Sequence, residues 1–373
     1  MKKLNKTGII VLTAIGGVLL AGVGGISGYF IARGQYDKKS EEYKGYLSNT
    51  SYDYLAAALA FQLSGECKAL IQQAYALATN NIASIIEKAN DTNNTEYYYT
   101  NVDGVNKLMH NGVQVSIISD IDDTLVDGAR YSCNILGNNG DFNNSAFARF
   151  LLSDNCKALD GAVDFTNYCS NNGIEVFYVT NRYDQAYKVG QKDSYSSYEE
   201  TIKNDGVGKY IDSKGNVIGS TLYQQYGKTM YDISYESMKK LGFPIDYNHL
   251  FMNDLKLNGS SKEYLRKSIQ EGNTSLNNGQ RSDGCSLIDS PTSVSVSKND
   301  VVMYLGDNLG DFSDEFANCK DAVERSELIS KYSSKWGKEW IVFPNAVYGD
   351  WLNFAKSYPF SQLFKDLDYT NSK

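Results

Sequence analysis

Histidine is scarce in this sequence, which has only two, His110 and His249, among 373 residues. Histidine-phosphatase, histidine-rich zinc hydrolase and Ser-His-Asp mechanisms each require a committed histidine, so the composition argues against all three classes. No pair of the six cysteines has C-x-x-C spacing, which leaves zinc-ribbon and thioredoxin-like sites without support. The cysteines are equally compatible with disulfides and with small buried residues.

Outside the amino terminus, acidic side chains outnumber basic ones. The formal net charge is -8, although residues 1–39 carry six basic side chains and one acidic one. An acidic body argues against binding of a nucleic-acid polymer through its phosphates. It is compatible with a small anionic substrate, because a metal ion can reverse the sign of the charge inside a pocket.

The amino terminus combines a basic cluster with a long apolar stretch. Lys2, Lys3 and Lys6 precede residues 8–32, which contain no charged side chain. This stretch is long enough for a bilayer span of about 20 residues and longer than the roughly 7–15 apolar residues of a cleavable signal. We therefore predict that residues 1–39 are a signal anchor with a transmembrane segment, and that the rest of the chain lies outside the cytoplasm. If the signal were cleaved, the rest of the chain would be secreted.

Residues 40–112 are predicted to form a linker followed by N-terminal helices. Leucines recur at helical spacing across 54–90 with a break near Gly65, so two helices are predicted there. Residues 91–112 are rich in Asn, Asp, Gly and Thr and are predicted to be loop-like.

A different pattern begins at residue 113, where short apolar runs alternate with helical stretches. The runs are continuous in Val, Ile, Phe and Tyr, which is typical of strands that are covered on both faces. The predicted strands are 113–122, 174–182, 301–308 and 339–345. Their alternation with helices predicts a doubly wound, parallel α/β sheet over 113–352. The polar stretches 187–235 and 271–299 are predicted surface insertions, and 353–373 is a predicted C-terminal tail.

Polar residues stand where three of the predicted strands end. They are Asp120 and Asp122 after the first strand, Thr180, Asn181 and Arg182 after the second, and Asp307 and Asp311 after the third. Because an open parallel sheet binds ligands at the carboxyl ends of its strands, adjacent strands would bring the four aspartates together. Close carboxylates raise one another's pKa, and an oxygen-preferring cation relieves this. The pattern therefore predicts a Mg²⁺ site that receives a phosphate.

Such a site predicts aspartyl-phosphate chemistry. The chain turns at a strand end, so one of Asp120 and Asp122 can attack phosphorus while the other handles the proton. The second aspartate first protonates the leaving oxygen and then deprotonates the attacking water. Thr180 and a lysine would bind the phosphoryl oxygens as charge develops on them.

The segments around these aspartates resemble a known family. "SDIDDTLVDGARY" contains D-x-D-x-T after an apolar strand, which is the signature of the haloacid dehalogenase superfamily. Together with "VFYVTNR", "LGDNLGDF" and "WGKEWIVFPNAVYGDW", it is similar to the class C bacterial acid phosphatases, the anchored 5'-nucleotidase-type lipoproteins. "ALIQQAYALA" in the N-terminal helices fits the same family. The resemblance covers roughly residues 54–352 and implies a haloacid-dehalogenase-like α/β fold with a helical N-terminal part.

The resemblance implies a role for each matching aspartate. Asp120 would be the nucleophile and a metal ligand. Asp122 would be the general acid and base, and its backbone carbonyl would also contribute to the metal site. Asp307 would be the remaining direct ligand of a single Mg²⁺ ion, which Asp311 would help to orient.

The resemblance also implies the substrate contacts. These are Thr180, Asn181, Arg182 and Lys262 at the phosphate, and Phe147 and Tyr348 on either side of a nucleoside base. Lys256 is a weaker match than Lys262 for the lysine that steadies the phosphoryl group. Stacking on aromatic faces tolerates several bases, so the expected substrates are nucleoside monophosphates or other small phosphomonoesters.

The sequence departs from the family at two points. Asp123 stands where the class C pattern usually has Glu, and no cysteine occurs in the first 66 residues to carry a lipid anchor. The predicted function is an extracytoplasmic, Mg²⁺-dependent acid phosphatase of 5'-nucleotidase type. The alternative is a non-catalytic surface-binding protein or adhesin on the same scaffold, and the intact Asp120 favours the enzyme.

Overall fold

The computed structural model describes residues 50–137, 144–182, 186–188, 210–211, 217–220, 226, 228–253, 261–277, 286–287 and 293–351. None of the helices within these residues combines the length and the apolar character that a membrane crossing needs. The predicted anchor at 1–39 and the predicted tail at 353–373 lie outside the described residues.

The described elements alternate between helix and strand from residue 113 onward. In chain order, the helices are α1 (Thr50–Leu63), α2 (Gly65–Asn90), α3 (Ala129–Gly137), α4 (Asn144–Leu152), α5 (Ala162–Asn171), α6 (Met230–Leu241), α7 (Glu263–Glu271) and α8 (Ala322–Lys331). The strands are β1 (Tyr97–Val102), β2 (Val105–His110), β3 (Val113–Ser119), β4 (Glu175–Thr180), β5 (Ala186–Lys188), β6 (Tyr210–Ile211), β7 (Val217–Ser220), β8 (Leu250–Met252), β9 (Asn273–Asn277), β10 (Ser286–Leu287), β11 (Ser293–Val296), β12 (Asn299–Gly306) and β13 (Trp340–Val342).

Two helices precede the sheet, and they break where the sequence predicts. Ser64 separates α1 from α2, and its hydroxyl caps α2 by accepting the N–H of Cys67 at 3.2 Å. The face that α2 turns towards the sheet consists of Ile71, Ala74, Tyr75, Ala78, Ile82 and Ile86. Their spacing of three and four residues packs the whole length of the helix against the core.

The prediction of a loop over 91–112 is wrong, because β1 and β2 form an antiparallel hairpin there. Asp103 and Gly104 make the turn with φ of 51° and 85°, the backbone geometry that a two-residue hairpin requires. Asn101, Asn106 and Lys107 interrupt the apolar residues of the two strands, so composition does not reveal the strand pattern.

The central sheet is parallel and confirms the predicted α/β class. Its parallel strands run in the order β13-β12-β3-β4-β8, and the β1–β2 hairpin extends it antiparallel to the start of β3. Strand β8 was not predicted, since its three residues are too few to leave a recognisable pattern. The two strands that lead to the candidate aspartates, β3 and β12, are direct neighbours.

Both faces of the sheet are covered, which explains the continuous apolar runs. On β3, Ile117 packs into one hydrophobic cluster with α2 and α5, whereas Ile118 packs into a second cluster with α7. On β4, Tyr178 joins the first cluster and Phe177 the second. Alternate residues of each strand thus face opposite layers, as the pleat requires.

The predicted insertions need correction in one part. Helix α6 (Met230–Leu241) begins inside the predicted insertion 187–235 and continues beyond it. Met230 and Tyr231 are fully buried, so this part of the chain belongs to the core. Thr229 and Asp232 cap this helix reciprocally. The described strands of the two insertions also meet, because β10 pairs with β6 in an antiparallel sheet ordered β10-β6-β7-β5.

We expect Gly173→Ala to destabilise the protein more than Gly104→Ala. Both glycines have positive φ, of 73° and 85°, so each substitution carries a conformational penalty of about 1 kcal/mol. A methyl group at Gly173 would also lie 2.5 Å from Asn106 O, whereas nothing lies within 4 Å at Gly104. The overlap adds about 2 kcal/mol. Urea unfolding of both variants measures the difference, and equal losses of stability would contradict this packing.

Candidate active site

Asp120, the predicted nucleophile, directly follows the central strand β3. Every residue from Gln114 to Ser119 is buried, and the N–H of Asp120 donates to Leu305 O on β12 at 2.9 Å. This bond extends the parallel ladder by one residue beyond the strand. Asp120 is 8% exposed, so its carboxylate is held by the sheet in a largely buried position.

The end of β12 directs two further aspartates to the same edge. Asp311 belongs to a 3₁₀ turn over Leu309–Asp311, and its Oδ2 accepts the N–H of Asn308 at 3.0 Å. Gly306 permits this turn, since a methyl group on it would lie 2.5 Å from Asp311 Oδ2. Asp307 stands between Gly306 and the turn, beside Asp311.

Three carboxylates meet at this edge. One oxygen from each of Asp120, Asp307 and Asp311 lies within 4.8 Å of the others. Lys262, at the start of α7, donates from Nζ to Asp120 Oδ1 and, at 2.7 Å, to Asp311 Oδ1. One ammonium beside three carboxylates leaves two negative charges uncompensated. Lys256, the weaker candidate for the lysine, lies outside the described residues.

Burial and mutual repulsion raise the pKa values of these carboxyl groups. Burial is the main cause that raises the pKa of Asp120 to about 7, and Lys262 opposes it. Burial, and then the charges of Asp120 and Asp311, raise the pKa of Asp307 well above its ordinary value. Burial disfavours the ammonium of Lys262, but the two aspartates that it contacts outweigh this and raise its pKa. The cluster therefore favours bound protons or a bound cation over free negative charge.

The donor set fits a hard divalent cation. Among the described residues, the cluster consists of carboxylate oxygens alone. Carboxylate, carbonyl and water oxygens suit Mg²⁺, Mn²⁺ and Ca²⁺, whereas zinc and copper sites draw on histidine and cysteine. The two uncompensated charges match a divalent ion. Asp120, Asp307 and Asp311 are the side chains that would hold it.

Asp122 does not join the cluster with its side chain. Its two carboxylate oxygens accept from Arg182, Oδ2 from Nε at 2.9 Å and Oδ1 from Nη2 at 2.8 Å. This two-point contact fixes the plane of the carboxylate. The expectation that four aspartates converge is thus met by three side chains, and the predicted metal contact through the backbone carbonyl of Asp122 stays a prediction. Nη1 of Arg182 is buried without a hydrogen-bond partner among the described residues.

Thr180 and Asn181 lie at the carboxyl end of β4, beside β3. Thr180 Oγ1 accepts the N–H of Arg182 at 3.1 Å, and Thr180 O accepts the N–H of Asn253 at 2.9 Å. The side-chain amide of Asn253 also donates to Asn181 Oδ1 at 2.9 Å. These bonds fix the predicted phosphate-binding segment between β4 and β8.

The predicted aromatic sandwich is not formed. Phe147 is 6% exposed, and its ring packs against Tyr131 and Phe150 at centroid distances of 5.1 Å and 6.0 Å. The Arg182 guanidinium lies 5.5 Å from its ring centroid, which is a cation–π contact. Phe147 therefore backs Arg182 and presents no free face to a base. Tyr348, in contrast, is 39% exposed.

Asp123, the position that departs from the class C pattern, closes the loop behind Asp122. It is fully buried with φ of 55°, and its Oδ1 accepts the N–H of Ala129 at the start of α3, at 3.0 Å. Burial is the main cause that raises the pKa of Asp123 to about 7, and the neighbouring Tyr348 opposes it. The short side chain of Asp123 thus serves the loop and lies outside the carboxylate cluster.

Three supporting residues were not predicted from the sequence. Asn345 donates to Asp307 Oδ2 at 2.6 Å, and Thr124 donates to Asp307 Oδ1 at 3.4 Å. Asn253 supports the β4 end as described above. The motifs "DIDDT" and "FPNAVYGDW" contain Thr124 and Asn345, so the segments were recognised although these roles were not. Asn253 follows β8, a strand that is too short to be predicted from its sequence.

Comparison with known proteins agrees with this geometry. Residues 45–205 match the family model of the HAD superfamily, subfamily IIIB (Acid phosphatase). Two solved structures of the class C acid phosphatase from Bacillus anthracis, one with tungstate bound, superpose with TM-scores of 0.52 and 0.51. Each of the two is 18% identical to this chain, and each alignment covers 87% of this chain and 98% of the Bacillus anthracis chain. At this identity the superposition establishes a shared fold.

The superpositions show that the chain has a haloacid-dehalogenase-like α/β fold. Residues 45–205 are similar to the acid phosphatases of this superfamily, and the resemblance that the motifs indicated is confirmed. The matched segment contains Asp120, Asp122 and Thr180 and ends before Lys262 and Asp307. The fold brings the last two to the site.

We expect the metal-free protein to lose stability as the pH rises towards 7. The pKa of Asp120, about 7 in the folded chain, lies above that of an unfolded aspartate. Its contribution is therefore fully present below about pH 4 and is lost as the pH rises through about 7. Urea unfolding in EDTA between about pH 5 and pH 8 measures this. In Asp120→Asn the dependence should be weaker, and an unchanged slope would contradict the assignment.

Proposed function

We propose that the chain is a Mg²⁺-dependent acid phosphatase that works through an aspartyl-phosphate on Asp120. The observation that carries this proposal is the contact of Lys262 with both Asp120 and Asp311, beside Asp307. A buried carboxylate next to a fixed ammonium and a divalent-cation site has the surroundings that an attacking aspartate needs. The family match to an acid phosphatase supports the same reaction.

Lys262 would contact the phosphate together with a cation held by the aspartates. Bound at Asp120, Asp307 and Asp311, Mg²⁺ would neutralise charge on the phosphoryl oxygens and draw a phosphate to the nucleophile. Lys262 Nζ, which contacts Asp120 Oδ1, is close enough to donate to a phosphoryl oxygen of a group that Asp120 attacks. Asn345 and Thr124 keep Asp307 oriented during the reaction.

The proposed reaction has two steps. In the first, a carboxylate oxygen of Asp120 attacks phosphorus, the bond to the leaving oxygen breaks, and Asp122 gives that oxygen a proton. In the second, Asp122 takes a proton from a water molecule, whose oxygen attacks the phosphorus and releases phosphate from Asp120. Arg182 fixes the carboxylate plane of Asp122 between these transfers.

Nucleoside 5'-monophosphates are the substrates that we propose. The resemblance to 5'-nucleotidase-type enzymes supports this, and so does Tyr348, which is 39% exposed and whose pKa is raised by burial of its hydroxyl and by nearby Asp123 and Asp307. Tungstate in the Bacillus anthracis enzyme is a tetrahedral oxyanion, as phosphate is. A ring next to an oxyanion site is suited to stacking on a base.

We also propose that the enzyme is anchored by residues 1–39 and acts outside the cytoplasm. The basic residues before the uncharged stretch at 8–32 support this orientation. The expected product of such an enzyme is a nucleoside that can be taken up, whereas a charged nucleotide cannot cross a membrane unaided.

Asp120→Asn should abolish phosphate release by the full-length chain, and EDTA should do so reversibly. Without the attacking carboxylate the covalent route is closed, so we expect a loss of about 10³-fold or more. Phosphate release from 5'-AMP, 3'-AMP and p-nitrophenyl phosphate is the measurement, with and without Mg²⁺.

Asp300→Asn is the matched control, since Asp300 lies at the opposite end of β12 and pairs with His110 at 2.8 Å. It should retain the wild-type rate. A folded wild-type chain that binds Mg²⁺ but releases no phosphate from any of these substrates would contradict the enzyme and favour the surface-binding alternative.

Tyr348→Ala should raise KM for 5'-AMP by about tenfold, because stacking on a base contributes about 1–3 kcal/mol. The KM for glycerol phosphate, which has no ring to stack, should stay within about twofold of the wild-type value. Steady-state kinetics with the two substrates measures both. Equal increases in the two KM values would assign Tyr348 to the phosphate site instead of the base site.

A further inference from the structure

Tyr75 lies in α2, within the segment "ALIQQAYALA", and the reaction described above leaves it without a role. It is 3% exposed, and its hydroxyl donates to the main-chain oxygen of Thr124. Thr124 is the threonine of the D-x-D-x-T motif and is itself fully buried. A residue from the N-terminal helices thus reaches the loop that follows the nucleophile.

The loop that Tyr75 contacts is compact and closed by its own hydrogen bonds. The N–H groups of Leu125 and Val126 both donate to Ile121 O, at 2.8 Å and 2.9 Å, and the N–H of Asp123 donates to Val126 O at 2.7 Å. Asp122 lies inside this loop. Whatever holds the loop against the body of the protein therefore also sets the position of the Asp122 backbone.

The ring of Tyr75 contacts the other side of the site. It packs against Phe343 at a centroid distance of 4.8 Å. The N–H of Phe343 donates to Gly306 O at 2.9 Å, directly before Asp307. Two residues beyond Phe343, Asn345 donates to Asp307. One side chain therefore contacts both the loop of Asp122 and the segment that orients Asp307.

Close contacts with Gly161 and Phe165 restrain the Tyr75 side chain. A methyl group at Gly161, before α5, would lie 3.2 Å from Tyr75 Cβ, and Phe165 packs on the ring at 5.8 Å. The glycine therefore allows α2 to approach α5 closely. A second contact from the same helical part joins Gln62 of α1 to Asp127 at the end of the loop.

We propose that Tyr75 is a positioning residue of the active site, and that α2 is part of the catalytic unit. Its hydroxyl sets the position of the loop at 121–128, and its ring sets the position of the segment that leads to Asn345. The inference rests on the proposed hydrolase function for its kinetic consequence. Its structural consequence, restraint of the loop, is independent of turnover.

Tyr75→Phe in the full-length chain tests the proposal, because it removes the hydroxyl and keeps the ring. Tyr231→Phe is the matched control: Tyr231 is equally buried, and its hydroxyl donates to the main-chain oxygens of Tyr247 and Leu250, away from the site. Hydrogen exchange of the amides at 121–128, together with kcat and KM for p-nitrophenyl phosphate, is measured for both variants.

In Tyr75→Phe we expect the amides of this loop to exchange about tenfold faster, since a local restraint is lost. We expect kcat to fall about tenfold with KM unchanged, since the loop carries a reacting group and not the main substrate contacts. Tyr231→Phe should change neither. Wild-type exchange and kcat in Tyr75→Phe would overturn the proposal, as would equal effects of the two substitutions, which would indicate general destabilisation.

The two proposals fail separately. If the wild-type chain releases no phosphate, the proposed function is wrong, and the exchange rates alone then decide whether Tyr75 restrains the loop. If the wild-type chain is active and the exchange rates of Tyr75→Phe equal those of the wild type, the function stands and the positioning role is wrong.

Discussion

The repulsion among three carboxylates, of which two are buried and one is half-buried, is the constraint on which the rest of this site depends. Asp120, Asp307 and Asp311 are brought within 4.8 Å by two neighbouring parallel strands, in surroundings that penalise negative charge. Lys262 offsets only part of the charge. The β3–β12 ladder, with apolar layers on both faces, keeps the three groups together against this repulsion. The remaining negative charge favours a bound cation, and a bound cation would in turn attract a phosphate.

Several features outside the cluster follow from holding it in place. Gly306 has no side chain because Asp311 occupies that space, and Asn345 supplies a neutral donor that orients Asp307 without compensating its charge. Arg182 pairs with Asp122 at two points and lies against the ring of Phe147. The fourth aspartate is thereby kept apart from the other three. Two aspartates that are two residues apart in the sequence consequently have different partners and can have different roles.

The fold class and the cluster could be predicted because their signals are local. A strand covered on both faces leaves a continuous apolar run, and an aspartate at its end marks the carboxyl edge of the sheet. Side-chain partners depend on which strands and helices become neighbours, and this is not visible in spacing. The burial of Phe147 and the contact of Tyr75 with Thr124 are of this kind. Polar residues within the strands of the hairpin before β3, and on the exposed face of helix α6, mask the apolar pattern of both.

The strand order also has a consequence for how the protein is made. Strand β3 pairs on one side with β4, which follows soon after it, but on the other side with β12, which begins only at Asn299. During synthesis the second edge of the central strand therefore stays open until β12 has been made. Pairing over such a separation is slow, and an open edge is a site of aggregation. A chain truncated before β12 has no second half of the site, so catalytic competence arises only when folding is complete.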